Sequence, residues 1–287
     1  MSEKTIAHRR GLRRRLLAVL IMLGWLGMVG DRAGAAEPEE ISPHLYVFIS
    51  SSLPMASLIA IAKDAAFGFY YADDLAALAA AGAELLPFDT MKDAALPPCD
   101  ALFIGGGFPE SFLDALSANV CLREEIRHAI AGGLPTYAEC GGLMYLANSI
   151  TWRGQQQPMV GAIDGHIVMH DKPIGRGYVI LEPQAGHPWR QEGDTDNIHR
   201  LASADFAPAI HAHEFHYSEI LGLPENTRYA YAVKRGHGVD GQRDGILIHN
   251  LLASYTHLRG TAGCDWPTRF VRFIRACRAN CPSQEIA

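Results

Sequence analysis

The chain has 287 residues, is 48% hydrophobic and carries a formal net charge of −6. That length can bury one large core or two modest ones, and the acidic balance leaves no electrostatic footprint for nucleic acid. The six cysteines (Cys99, Cys121, Cys140, Cys264, Cys277 and Cys281) form no paired C-x-x-C zinc pattern and no dense disulfide framework. Cys277 and Cys281, one helical turn apart, read as two thiols rather than a metal pair.

The first stretch differs from everything after it. Arg9, Arg10, Arg13, Arg14 and Arg15 precede an apolar run from Leu16 to Val29, and Ala33-Gly34-Ala35 then offers an A-x-A cleavage site. Residues 1–36 therefore read as a secretory signal peptide. An uncleaved anchor is the alternative, although the apolar run is short for a membrane span. Residues 37–57 read as a linker, with a strand at Leu45 to Ser51 that Ser52-Leu53-Pro54 stops.

From Leu58 onward strands alternate with helices. Leu58 to Ala62 has the apolar run of a buried strand. Ala72 to Ala81 is rich in Ala and Leu, with Asp73 and Asp74 in its first turn, and predicts a helix ended by Gly82. Glu84 to Phe88 and Asp100 to Ile104 predict two more strands, the second running into Gly105-Gly106-Gly107-Phe108-Pro109-Glu110. Helices are expected from Glu110 to about Ala118 and from Val120 to Ala131, the latter capped by Asn119. Repeated β-α-β units predict a three-layer α/β fold with a mostly parallel sheet and right-handed crossovers.

The stretch Tyr137 to Leu146 carries the strongest chemical signal. Leu134 to Ala138 predicts a short strand, and Gly141-Gly142 followed by Leu143, Met144, Leu146 and Ala147 predicts a helix start. Cys140 lies between them, on a strand-to-helix elbow that exposes a nucleophile, with the small residues Ala138 and Gly142 on either side. A helix N-terminus favours a thiolate and supplies backbone N–H groups to an oxyanion. A lone cysteine in a core is usually inert; these neighbours favour a nucleophile.

The second half is less regular. Val160 to Met169, Gly177 to Leu181, His211 to Tyr217, Arg228 to Lys234 and Gly245 to His249 predict strands. Leu251 to His257 leads to a last helix over Trp266 to Arg278. Pro183 to Ala207 is polar and reads as an exposed insertion. A cysteine nucleophile needs a base, and His211, His213, His216, His249 and His257 all compete for that role.

Six stretches occur in a telling order: Ile61 to Tyr71, Gly105 to Glu110, Ala138 to Leu146, Gly175 to Tyr178, His213 to Ser218, and Ala253 to His257. Together they resemble the C-terminal glutamine amidotransferase domain of cobyrinic acid (or hydrogenobyrinic acid) a,c-diamide synthase, a class I-like family of cobalamin biosynthesis. The resemblance spans residues 58–278 and leaves 279–287 as a tail. Pro43 to Leu58 separately resembles the start of the TrbC-type pilus-assembly proteins of conjugative transfer systems.

The amidotransferase resemblance implies a flavodoxin-like, class I glutamine amidotransferase-like fold. It implies Cys140 as the nucleophile on the glutamine side-chain amide and His257 as its base. It places the loop Gly105 to Glu110 beside them, so that Gly106 or Gly107, with Gly141, forms the oxyanion hole. Ammonia would pass to an ATP- and magnesium-dependent synthetase domain that activates acetate carboxylates of a corrin.

A P-loop needs Gly-Lys followed by Ser or Thr, and none of Lys4, Lys63, Lys92, Lys172 and Lys234 follows a glycine. ATP and magnesium are therefore expected only on a separate synthetase domain or chain, with no cofactor in this one and the corrin reached through that partner. Many class I amidotransferases carry Glu two residues after the histidine, where this chain has Arg259. Glu214 is the candidate orienting acid in its place. His211 and His213 share a strand face while His216 points the other way, so no metal site is expected. Localisation is in conflict, since the chemistry is cytoplasmic and the leader implies the periplasm. The alternative to an amidotransferase is a non-catalytic exported protein.

Overall fold

In the computed structural model the described residues are 56–189, 209–261 and 263–280. The leader, the expected strand at Leu45 to Ser51, Cys281 and residues 190–207 of the expected insertion lie outside them.

Among the described residues, five parallel strands make one half of a nine-stranded sheet. They are β1 (Ser57–Ala62), β3 (Ala83–Phe88), β4 (Ala101–Ile104), β6 (Thr136–Glu139) and β15 (Leu251–Ser254), in the order β3-β1-β4-β6-β15. β1 and β4 are short apolar runs because both of their faces are covered, whereas β3 at the sheet edge exposes Glu84 and Pro87. Ile59 and Ile61 of β1 face one core while Ala60 and Ala62 face the other, and Phe103 and Leu102 of β4 divide in the same way. Four strands extend the sheet by antiparallel pairing beyond β15: β14 (Arg243–Ile248), β13 (Arg228–Arg235), β10 (Gly175–Pro183) and β11 (Ile210–His216). The sheet is thus mixed, its parallel half matching the β-α-β periodicity.

The helices α1 (Ala72–Ala80) and α5 (Trp266–Asn280) carry Leu78, Phe270, Val271 and Ile274 into one core. The helices α2 (Leu113–Ala118), α3 (Val120–Ala131) and α4 (Gly141–Leu146) bury Leu116, Leu122, Ile126 and Leu143 in the other. That second core also holds Ile150, Ile163 and Ile167 of a smaller sheet. This sheet consists of β12 (Ser218–Leu221), β9 (Ile163–Met169), β7 (Ala147–Trp152) and β8 (Gln155–Pro158). Layers on both faces of a central sheet are the arrangement the alternating pattern predicts.

Several local expectations change. The helix after Cys140 is six residues long, because Ala147 already begins β7. The sequence Gln155-Gln156-Gln157-Pro158 lacks any alternation that would mark β8. Asn119 does not cap α3; its side-chain amide donates instead to the Thr90 and Asp93 carbonyls at 2.9 and 2.8 Å. The helix expected from Glu110 starts as a 3-10 turn over Pro109–Phe112 and becomes α-helical at Leu113. Within the supposedly exposed insertion, Trp189 is buried and packs on Tyr137, Trp266 and Phe270.

Candidate active site

The register of β6 and β15 builds the site. Ser254 pairs with Glu139 at the common end of these parallel strands, so the residues just beyond each end, Cys140 and His257, converge. Cys140 sits at φ 47° and ψ −101°, a backbone region that costs a non-glycine residue about 1–3 kcal/mol. Packing and hydrogen bonds hold it there: the Cys140 N–H donates to the Ser254 carbonyl at 2.7 Å, and its own carbonyl accepts from Met144 N–H at 3.1 Å. Cys140 is 6% exposed, and its thiol lies 3.9 Å from the Phe215 carbonyl oxygen.

The glycine loop packs directly on this elbow. β2 (Phe67–Phe69) pairs antiparallel with the two-residue strand β5 (Gly106–Gly107), and the Phe108 N–H donates to the Ala66 carbonyl at 2.9 Å. A Cβ on Gly107 would collide with that carbonyl, and one on Gly141 would lie 2.8 Å from the Gly107 nitrogen. The Tyr70 hydroxyl ties the loop from behind, accepting from Gly105 N–H at 3.0 Å and donating to the Ala62 carbonyl. Close backbone approach thus accounts for the glycines.

His257 is delivered by a tightly held turn. The buried Asp244 carboxylate accepts from the N–H groups of Gly245, Tyr255 and Thr256 at 2.8, 3.0 and 3.0 Å. Leu258 N–H then donates to Glu139 Oε1 at 2.9 Å. The other oxygen of Glu139 lies 3.6 Å from His257 Nδ1. Burial alone would lower the pKa of this imidazole, but the Cys140 and Glu139 side chains beside it outweigh burial and push it up to about 10. The imidazole therefore holds a proton at neutral pH.

Glu139, and not Glu214, is the acid beside the imidazole. The Glu214 oxygens accept from His237 N–H at 2.7 Å and Gly238 N–H at 2.8 Å, and one faces His216 Nε2 at 3.7 Å. Strand alternation explains the difference, because Glu214 and His216 share the inward face of β11 while His213 lies on the other. Sequence reasoning missed Glu139 although it directly precedes Cys140. The available signal was Tyr137, two residues earlier on the same strand face, whose hydroxyl donates to Glu139 Oε1. Arg259 is drawn to the surface by Asp73 at 2.9 Å and lies over the Tyr71 ring.

A cavity of about 330 Å³ opens over these groups, lined by Tyr70, Tyr71, Gly107, Glu139, Cys140, His213 and His257 and rimmed by Phe69, Phe108 and Phe215. That volume suits a small metabolite. Of the residues expected in the site, Cys140, His257 and Gly107 line this cavity, with Gly106 packed against His257 and Gly141 against Gly107, while Glu214 faces the buried side of β11. His249 lies apart, beside a different cleft lined by Ile163, Leu223 and Ile246.

The fold is that of the class I glutamine amidotransferases. The structure of PurLQS from Thermotoga maritima superposes with a TM-score of 0.55 at 15% identity, covering 78% of this chain and all of that one. A crystal structure of a glutamine amidotransferase gives a TM-score of 0.51 at 15% identity, with 76% and 98% covered. Residues 58–262 match the CobB/CobQ-like glutamine amidotransferase domain, and the chain belongs to that family. It is 42% identical over 217 residues to the cobyrinate a,c-diamide synthase of Magnetococcus marinus, covering 76% of this chain and 44% of that protein. It is 38% identical over 252 residues to the synthase of the same name from Methanosarcina barkeri, with 83% and 48% covered. The chain thus spans less than half the length of these relatives.

Proposed function

We propose that this chain hydrolyses the side-chain amide of glutamine at Cys140 and supplies the ammonia for amidation of corrin acetate carboxylates. The observation that carries the reading is the convergence of a strained cysteine, a proton-bearing imidazole and a buried carboxylate in one small cavity. The Cys140 thiolate attacks the amide carbon, and the oxyanion that forms is received by backbone N–H groups of Gly141 and of Gly106 or Gly107. Losing one such donor typically costs about 10²–10³ in rate. His257 gives its proton to the departing nitrogen, which leaves as ammonia, and a thioester remains on Cys140. The neutral imidazole then takes a proton from water, whose oxygen attacks the thioester to release glutamate and restore the thiolate.

ATP and magnesium serve a different step, activation of the carboxylate, and belong to a synthetase domain or chain beside this one. Phe69, Phe108 and Phe215 are 56, 51 and 48% exposed around the cavity mouth, which suits a covered rather than a bare opening. The test is ammonia release from glutamine by the full chain, alone and with a separate synthetase. Cys140→Ala is expected to lower the rate by about 10³-fold or more. An electrophilic glutamine analogue should add its mass to Cys140 alone. Ammonia release that survives in the folded Cys140→Ala protein sinks the reading.

A further inference from the structure

We infer that His213 is a positioning residue for the reaction, its ring forming the wall that holds the His257 imidazole beside Cys140. The inference rests on the glutaminase reading above and adds a residue to it. The two rings stack with centroids 4.8 Å apart and an interplanar angle of 16°. Their backbones are joined as well, His257 N–H donating to the His213 carbonyl at 2.8 Å and His213 N–H to the His257 carbonyl at 3.4 Å. His213 is itself held from the far side, where the Tyr71 hydroxyl lies 3.1 Å from its Nδ1. Tyr71 in turn lies under the Arg259 guanidinium, which Asp73 fixes.

This wall has work to do because the contact in the ring plane is loose. Glu139 stands 3.6 Å from His257 Nδ1, outside hydrogen-bond range, and the terminal torsion of a histidine is broad. A carboxylate at that distance attracts the charged ring without fixing its plane. A stacked face does fix it.

The charges agree with this arrangement. The groups facing the His213 ring are Tyr71 from the start of α1, Glu139 from the end of β6, and His257 beyond β15. Burial, and then the charge on His257, hold His213 below the usual histidine value, with Glu139 opposing them. His213 is therefore neutral when His257 carries its proton, and a neutral ring facing an imidazolium is attractive. Protonation of His213 at acid pH sets two cations face to face and turns the wall into a repulsive one.

The experiment measures kcat and KM for glutamine hydrolysis from pH 5 to 9 in the wild-type chain, His213→Ala and His213→Phe. Histidine-ring NMR of the same proteins runs alongside. His213→Ala should lower kcat by about 10- to 100-fold, the usual cost of a misplaced catalytic group, with KM changed far less. His213→Phe restores a stacking face and should recover most of that loss, while moving the acid limb of the profile to lower pH. In the NMR titration the His257 ring should show a second inflection where His213 titrates, absent from His213→Phe. A wild-type acid limb that persists in His213→Phe, or a folded His213→Ala protein with wild-type kcat, overturns the inference. If the wild-type chain releases no ammonia, the glutaminase reading fails by itself. The NMR titration then decides the positioning role, and a His257 signal without the second inflection overturns it.

Discussion

Glu139 occupies the position where three requirements meet. Its backbone completes the strand before the elbow, one oxygen anchors the segment after His257 through the Leu258 N–H, and the other faces the imidazole. Replacing it by Gln keeps the shape and removes the charge. Glu139→Gln should lower kcat/KM by about 10- to 100-fold and move the alkaline limb to lower pH, since one of the two groups that raise the His257 pKa is gone. A pH–rate profile on both proteins checks this. The same shift has a stability sign. His257 titrates near 6.5 when unperturbed and near 10 when folded, so the folded state binds its proton more tightly. That contribution is full below about pH 6.5, declines above it, and is gone once pH passes about 10. The thermal midpoint should accordingly fall more steeply between pH 7 and 10 in the wild-type chain than in His257→Gln. At this scale Cys140 was legible because its signal is local: a strand, small neighbours, two glycines. Glu139 was not, because its role depends on a histidine more than a hundred residues away.

The elbow and the glycine loop form one unit, since each leaves no room for side chains on the other. Two substitutions that look alike should behave differently here. A Cβ on Gly142 would collide with the Ile104 carbonyl, a backbone atom of a central strand that cannot yield. Gly142→Ala should therefore destabilise the chain by about 1–3 kcal/mol or more, read as a lower urea midpoint. A Cβ on Gly106 would lie 2.6 Å from Cε1 of His257, a side chain that can move. Gly106→Ala should lower glutamine hydrolysis strongly while changing the urea midpoint much less. Equal shifts in both midpoints would contradict the distinction. β1 and β4 were legible as elements because burial on both faces makes them uninterrupted apolar runs. β8 was not, since Gln155-Gln156-Gln157-Pro158 takes its strand geometry from pairing with β7, which no local pattern announces.

Among the described residues the central sheet separates two cores, and the aromatic one extends under the site. Tyr137, whose hydroxyl binds Glu139, packs at ring distances of 4.9 and 5.0 Å on Trp189 and Trp266. Trp189 comes from a stretch whose polar composition reads as surface, and yet it is 3% exposed. Trp189→Ala should cost about 3–5 kcal/mol and lower the thermal midpoint. It should also loosen Tyr137, so that kcat falls further than the unfolded fraction explains; a kcat that tracks the folded fraction would show the core and the site to be uncoupled. The sequence by itself determined the α/β class, most strands of the parallel half of the sheet, the strand-to-helix elbow at Cys140 and the family, because these depend on short-range periodicity and on motifs of adjacent residues. Only the tertiary structure decided which acid faces the imidazole, which histidine stacks on it, where the antiparallel strands attach and how Trp189 is buried. Those are contacts between segments distant in the chain, and they exist only once the register of β6 against β15 has brought their ends together.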